Sequence, residues 1–496
     1  MKLFLLVAFH LAWLSPHTRA DDPIAIGTRR ELFADRLLID RMSGTELRLH
    51  SPQPAEVAIR FDQPWEGIFS AYVTVIHDEQ AGKYRMYYRG NVDRSKDGGS
   101  GECTCYAESP DGIHWTKPNL GLHEIAGSRE NNAMLADLAP YTHNFAPFID
   151  RRTGIPAEER FKALAGLGGK FGGLCAFASA DGLHWRKFQD EPVLTKGAFD
   201  SQNVSFWSEA EQCYVAYFRI FTGGGTDEKT WQPKGVRWVS RATSQDFLHW
   251  TAPTPMKCDQ PLVDHIYISQ TQPYFRAPHL YVSTAARFMQ GKAVLSPQAR
   301  EEIAPETKAY PALIQDCSEA VLMTSRAGTT RFDRTFMEGW VRPGQGFRNW
   351  TSRSNYPACG VVPTGPAEMS VYVERQYGQT GAHLQRLTLR TDGFASLHAG
   401  YDGGEMITKP LTAAGRELHL NVATGAAGSV AVEIRNSKDE PQPGFSFEDC
   451  LPVTGDDIDR AISWKGGKDL SKLAGQPMRL RFVLKDADVF SFMFAP

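Results

Sequence analysis

Strand-forming and polar residues alternate in short runs along the chain, and one arrangement keeps returning. The stretch "AYVTVIHDEQAGKYRMYYRG" (71–90) reads as a strand, a polar hairpin and a second strand. Comparable units lie at 143–166, 202–220, 271–288 and 355–375, and the second strand often ends near an arginine. Downstream come "YAESPDGIHWTKP" (106–118), "FASADGLHWRKF" (177–188) and "RATSQDFLHWTAP" (241–253). Each has a strand, a Ser, a turn centred on Asp, and a Trp at a fixed offset. The Asp accepts backbone N–H bonds and Gly tolerates positive φ, so the turn chemistry is sound. Degenerate copies stand at "LMTSRAGTTRFDR" (322–334) and "LTLRTDGFASL" (387–397). Two strands per unit, a third before the Ser and a fourth near the Trp make a four-stranded blade. Five roughly even repeats predict an all-β fold, a five-bladed β-propeller whose closure protects its sheet edges. A two-sheet sandwich with chance repeats is the weaker alternative.

From about residue 398 the pattern changes. "ELHLNVAT", "SVAVEIRN" and "MRLRFVLKDADVFSFMF" alternate with period two between joins rich in Gly, Asp and Pro. That is the signature of an antiparallel sandwich, here jelly-roll-like. The expected division is a lead-in strand or short helix packed on the propeller (21–60), the propeller (61–397) and a C-terminal β-sandwich (398–496). The opening "MKLFLLVAFHLAWLSPHTRA" has a basic start, an apolar run and a small residue before "DD". It reads as a signal peptide (1–20) with cleavage after Ala20. The apolar run is too short to span a membrane comfortably. A secreted or periplasmic chain without a membrane span is expected.

Composition narrows the function classes. A formal charge of -3 lacks the concentrated Lys and Arg of a nucleic-acid surface, so no nucleic-acid partner is expected. Aromatic residues at 11% suit stacking platforms and β-rich cores equally. Eight Cys are too sparse for a disulfide scaffold. Cys103 and Cys105 share one strand face without the spacing of a zinc site. The cysteines are read as small buried hydrophobes. His143 and Asp200 could join a metal site, but no ligand spacing supports one, and neither metal nor cofactor is assigned.

In a propeller the entrances of the innermost strands converge on one funnel. The residues there are polar at all five unit starts, which reads as a polyol or sugar site. The candidate substrate-binding residues are Arg89, His143, Asn144, Asn203, Gln272, Arg276, Asn355 and Tyr356. Arg89 and Arg276 suit either blade-to-blade ties or a sugar carboxylate or sulfate, because a guanidinium fork matches planar oxyanions. Glycoside hydrolysis normally needs two carboxyl groups across the scissile bond. Glu66 and Asp200 are the first choices, with Glu338 as the third acid ahead of Glu374 and Asp264. Glu66 could instead cap a turn or pair with Arg89, and Asp200 could serve its own turn. Asp111, Asp181 and Asp246, with Trp115, Trp185 and Trp250, recur at the repeat period and read as structural.

The repeats followed by a sandwich resemble the five-bladed propeller glycoside hydrolases, the broad group holding families 32 and 43. The likeness is strongest to secreted planctomycete-type proteins of that kind and covers about residues 30–395. It implies carboxylate chemistry on glycosidic bonds. The Asn-Asp-Pro-Asn-Gly and Arg-Asp-Pro motifs of family 32 are absent, so no residue is carried over and fructan specificity is unsupported. The expectation is an exported glycoside hydrolase acting on a plant or algal oligosaccharide or polysaccharide, with acidic or sulfated glycans admitted. The alternatives are a non-catalytic carbohydrate-binding propeller, or a lyase on acidic sugars with His143 or Tyr356 as base. Oligomeric state is not legible in the sequence. N-terminal sequencing of the exported protein should begin near Asp21; an intact Met1 chain in the cytosol would refute export.

Overall fold

The computed structural model describes residues 22–92, 99–226, 231–308 and 310–496; the expected signal peptide lies outside them. Five small antiparallel sheets follow one another along the chain. Blade one holds Ala71–Asp78, Lys83–Asn91, Glu102–Ser109 and Ala133–Leu135. Blade two holds Ala146–Ile149, Phe161–Ala165, Cys175–Ser179 and Arg186–Lys187. Blade three holds Val204–Ser208, Cys213–Thr226, Trp231–Ser244 and Thr254–Pro255. In blade four the inner strand is broken into His265–Ile268 and Thr271–Tyr274, beside Ala277–Met289 and Cys317–Arg326. Blade five holds Val362–Pro363, Glu368–Arg375 and His383–Arg390. Its outermost strand is Gln53–Arg60, from the start of the chain. Packed on both faces, the blade strands are buried almost continuously, as in Phe161–Ala165, and so read as apolar runs. Among the described residues one α-helix occurs, Pro297–Thr307, capped by Ser296, whose side chain accepts the Ala299 N–H.

The three full turn repeats superimpose in chemistry. In each, the Asp Oδ1 accepts two backbone N–H groups, from Ile113 and His114, Leu183 and His184, or Leu248 and His249. The Oδ2 meets the following His Nδ1 at 2.7 Å. The Trp indole N–H donates back to the carbonyl three residues earlier. In the third copy Phe247 replaces Gly112 and Gly182 at the left-handed position, with φ 70. Its ring packs on Phe148 of the preceding blade and on Tyr214, so core contact offsets the backbone cost.

Two boundaries differ from expectation. The segment 21–60 is no exterior lead-in. Its strands Glu31–Leu32, Ile39–Ser43 and Glu46–Leu49 join the C-terminal sheet, and Gln53–Arg60 closes the propeller. The propeller thus starts at 53, and Ala395–Ala399 already belongs to the sandwich. The sandwich is organised by two long strands, Glu417–Arg435 and Arg479–Ala495. Their pairing shifts register between Thr424 and Ser429, so the two halves of each lie in different parts of the sheet.

The fifth turn copy joins the domains. Asp392 has no exposed side-chain surface. Instead of capping its own turn, its carboxylate accepts from Tyr274 Oη (2.7 Å), Arg276 Nη1 (2.8 Å), Ser491 Oγ (2.6 Å) and Asn421 Nδ2 (3.1 Å). Removing it strands the Arg276 charge and three donors. Asp392→Ala should cost about 3–5 kcal/mol, read as a lower urea midpoint. An unchanged midpoint would show that the domains are held together elsewhere.

Candidate active site

The site begins with how the axis is filled. Gln202 donates to Thr74 Oγ1 (2.8 Å) and to the Val73 carbonyl (3.3 Å). Gln270 donates to Gln202 Oε1 (2.6 Å) and to the Pro357 carbonyl (2.9 Å). These buried amides link blades one, three, four and five. Two parallel-type bonds, Val75 N–H to the Cys359 carbonyl and Cys359 N–H to the Val73 carbonyl, both 2.8 Å, join blade five to blade one.

Beside these amides Arg89, Arg219, Arg237 and Arg353 converge with several tyrosines, Arg237 lying over the Tyr267 ring at 5.6 Å. Arg89 donates to the Phe69 carbonyl and to Tyr377 Oη (3.0 Å) and lies over the Tyr72 ring at 4.8 Å. Its Nη1 stands 3.4 Å from Glu102. Glu102 also stands 2.9 Å from His143 Nδ1, which Arg89 Nη1 approaches at 3.2 Å; in the tautomer that gives the Nδ1 proton to the carboxylate, Nε2 is the ring's other nitrogen. The Tyr72 ring packs edge-on to His143 and its hydroxyl donates to the Asp200 carbonyl at 3.3 Å. Asp200 is ion-paired with Arg219, and Arg219 lies over Tyr267 at 4.7 Å. Arg353 closes the circle, donating to Tyr310 Oη (2.7 Å) and Tyr377 Oη (3.3 Å). Guanidinium on aromatic faces is a favourable way to bury positive charge. Tyr72, Gln270, Arg353 and Asn355 all have φ between 49 and 71. Non-glycine residues in that region cluster where surrounding structure imposes a functional geometry.

The acids of the mouth occupy different environments. Asp200 keeps 43% of its side chain exposed, so it is the one a ligand can reach directly. Glu374 is buried, its carboxyl set against the Tyr72 and Val73 backbone with Arg89 and Arg353 nearby, and its Oε2 meets no donor. Burial outweighs those contacts and pushes its pKa up to about 8.

No protein-family model and no curated protein matches the chain. Among solved structures, one similar fold is an N-acetylgalactosamine deacetylase from F. plautii in complex with blood group B trisaccharide. It is 14% identical with a TM-score of 0.45, over 71% of this chain and 97% of that one. A second, described as a glycoside hydrolase, is 12% identical with a TM-score of 0.43, over 68% and 92%. A third is the GH32 beta-fructofuranosidase of Bombyx mori, 9% identical with a TM-score of 0.41, over 89% and 95%.

Of the residues expected at the site, Arg89, His143 and Asp200 lie together at the mouth. Glu66 does not join them. Its fully buried carboxylate accepts from Tyr88 Oη (2.6 Å), the Gln63 N–H (2.9 Å) and Lys117 Nζ (2.8 Å), within the wall of blade one. Glu338 is exposed on the connection between blades four and five, away from these contacts. Arg276 belongs to the Asp392 cluster between the domains. Three asparagines spend their amides on backbone. Asn144 donates to the Gly166 and Ser201 carbonyls, Asn203 to Phe199 and Ser201, and Asn355 to Ser318 and Asn349. Gln272 bonds toward Cys359, on the inner-strand side of blade five. Tyr356 is buried behind Tyr267, ring centroids 5.4 Å apart. Cys103 and Cys105 do share a face, sulfurs 3.7 Å apart.

Several residues of the mouth escaped the sequence reading. Arg219 in "YVAYFRI" holds the repeat position of Arg89 in "YRMYYRG", and aligning the units would have flagged it. Glu102 opens a Glu-Cys pair, a dipeptide found in family 32, but two residues are too short to carry a role. Tyr72, Arg237, Tyr310 and Tyr377 carry no local signal.

Glu374 makes the fold pH-sensitive in a defined direction. The unfolded carboxyl releases its proton near 4.5, the folded one near 8. Between these values the folded state binds the extra proton, so stability falls as pH rises, by on the order of 1 kcal/mol per unit at most. Glu374→Gln should flatten the slope of urea stability between pH 5 and 8; an unchanged slope would remove Glu374 as its source.

Proposed function

We propose that the protein is an exported glycoside hydrolase that cleaves a plant or algal glycan bearing acidic or sulfated groups at the propeller mouth. The observation that carries this reading is the cluster around Tyr72, whose ring packs against His143 and whose hydroxyl donates to the Asp200 backbone carbonyl, with Arg219 paired to the Asp200 carboxylate and Arg89 over the Tyr72 ring. Asp200 faces the mouth and would act as nucleophile, as base toward water, or as stabiliser of positive charge at the anomeric carbon. His143, oriented by Glu102, would exchange the proton with the departing oxygen. Glu102 fixes the imidazole through Nδ1, so Nε2 is the nitrogen offered to the substrate. Arg89 and Arg353 would hold anionic groups of the sugar, and the tyrosine rings would give it flat faces to rest on.

One observation favours a second reading. A histidine backed by a carboxylate beside arginines also suits β-elimination from a uronate. The arginine would neutralise the sugar carboxylate while His143 removes the adjacent carbon-bound proton; that electron pair forms the C=C bond as the C–O bond breaks, and the departing oxygen takes a proton from the imidazolium or from water. The products separate the two, because elimination leaves a new double bond that absorbs in the ultraviolet and hydrolysis leaves a reducing end alone.

Neutral, uronic-acid and sulfated oligosaccharides should be screened with wild type, Asp200→Asn and His143→Ala. Each substitution should lower kcat by roughly 10²–10⁴-fold while substrate binding persists. Sugar binding without turnover on every substrate, unaltered by both changes, would make the propeller a binding module.

A further inference from the structure

Resting on the reading of the mouth as a carbohydrate site, we propose that the cavity between blades three, four and five is an oxyanion subsite for a uronic-acid carboxylate or a sulfate ester of the sugar, with Arg237 as its principal ligand. The cavity measures about 300 Å³ and opens beside Tyr267, with Arg237 on one wall and Arg353 and Tyr310 on another. That is the low end of the range for small-molecule sites and enough for one sugar ring.

Arg237 is the unusual group. Its guanidinium lies over Phe221, Tyr267 and Phe288 at 5.1 to 5.6 Å. Nη1 donates to Gln290 Oε1 at 2.9 Å and stands 3.2 Å from His265 Nδ1, while the buried Nε meets no acceptor. Among the described residues no carboxylate pairs with it. Other arginines of the propeller are treated differently. Arg85 pairs with Asp78, Arg241 with Glu211, Arg287 with Glu319, and Arg326 with Glu31 and Asp35. Arg375 lacks a carboxylate too, but the Asn355 and Gln385 oxygens take its donors. Burial, reinforced by the nearby Arg219 charge, pushes the Arg237 pKa down. A part-buried cation held beside another cation is costly unless an anion arrives to balance it. The single acid on the rim, Asp316, has one oxygen engaged by the Gly291 N–H at 2.7 Å. Arg353, reaching in with a planar fork, would face Arg237 across the bound group, and forks of this kind match carboxylate and sulfate geometry.

The test uses monosaccharides, which have no glycosidic bond to cleave. Calorimetric titration with galacturonate, galactose 6-sulfate and galactose should show at least one anionic sugar binding 10-fold or more tighter than galactose. Galacturonate alone would assign a carboxylate, the sulfate alone a sulfate ester, and both a general oxyanion site. Arg237→Gln should abolish the preference, and Arg237→Lys, which keeps the charge but loses the fork, should reduce it. Arg186→Gln, a change at an exposed arginine of blade two, should leave it intact. Equal or absent binding of all three sugars, or a preference that survives in Arg237→Gln and Arg237→Lys, would overturn the proposal. Anion preference without turnover on any glycan would refute hydrolysis and leave the subsite standing. Turnover confined to neutral glycans and unaffected by Arg237→Gln would do the reverse.

Discussion

Blade five is incomplete without Gln53–Arg60, a strand that precedes blade one in sequence and pairs with His383–Arg390. Both ends of the ring are therefore fastened by one sheet, and no blade edge is left open at the join. The inner side of the same join is held by the Val73–Cys359–Val75 bonds, with the buried Glu374 carboxyl set against the Tyr72 and Val73 backbone. Tyr72 is also the ring that Arg89 covers and His143 abuts. Closing the propeller and shaping its mouth are thus one event. A residue that loosens the join displaces the chemistry with it.

The mouth keeps four guanidinium groups close together, which simple Coulomb repulsion opposes. Two devices make this tolerable. Asp200 and Glu102 neutralise Arg219 and Arg89 locally. Tyrosine rings and hydroxyls also take part, as around Arg353, which lies near the rings of Tyr310 and Tyr377 and donates to both hydroxyls. Because Glu374 holds a proton at neutral pH, it subtracts little from the positive field. The field is a property of the whole constellation, and deleting any one acid would strengthen it.

The architecture was legible because its signals are local. Asp111, Asp181 and Asp246 bond within three residues of themselves, so their spacing alone betrays the repeat. The same rule hid the exceptions. Asp392 sits in a recognisable fifth copy, yet its partners Tyr274 and Ser491 lie 118 and 99 residues away. The strand entrances marked where the mouth would be, since that follows from propeller geometry. Which side chains face it did not follow. Asn144, Asn203 and Asn355 look like sugar-reading amides in text, but loops that bend this sharply leave carbonyls that must be satisfied, and these amides satisfy them. Glu66 was misleading for a related reason: its counter-ion, Lys117, is 51 residues downstream, beyond any motif.

Gln202 and Gln270 give their amide N–H groups to other blades: Gln202 to blade one, Gln270 to Gln202 of blade three and to blade five. Moving one blade outward would strand buried polar groups on its neighbours as well as its own. The inner ends of these four blades are therefore spaced as a set, and the ring can breathe there only by giving up several bonds at once.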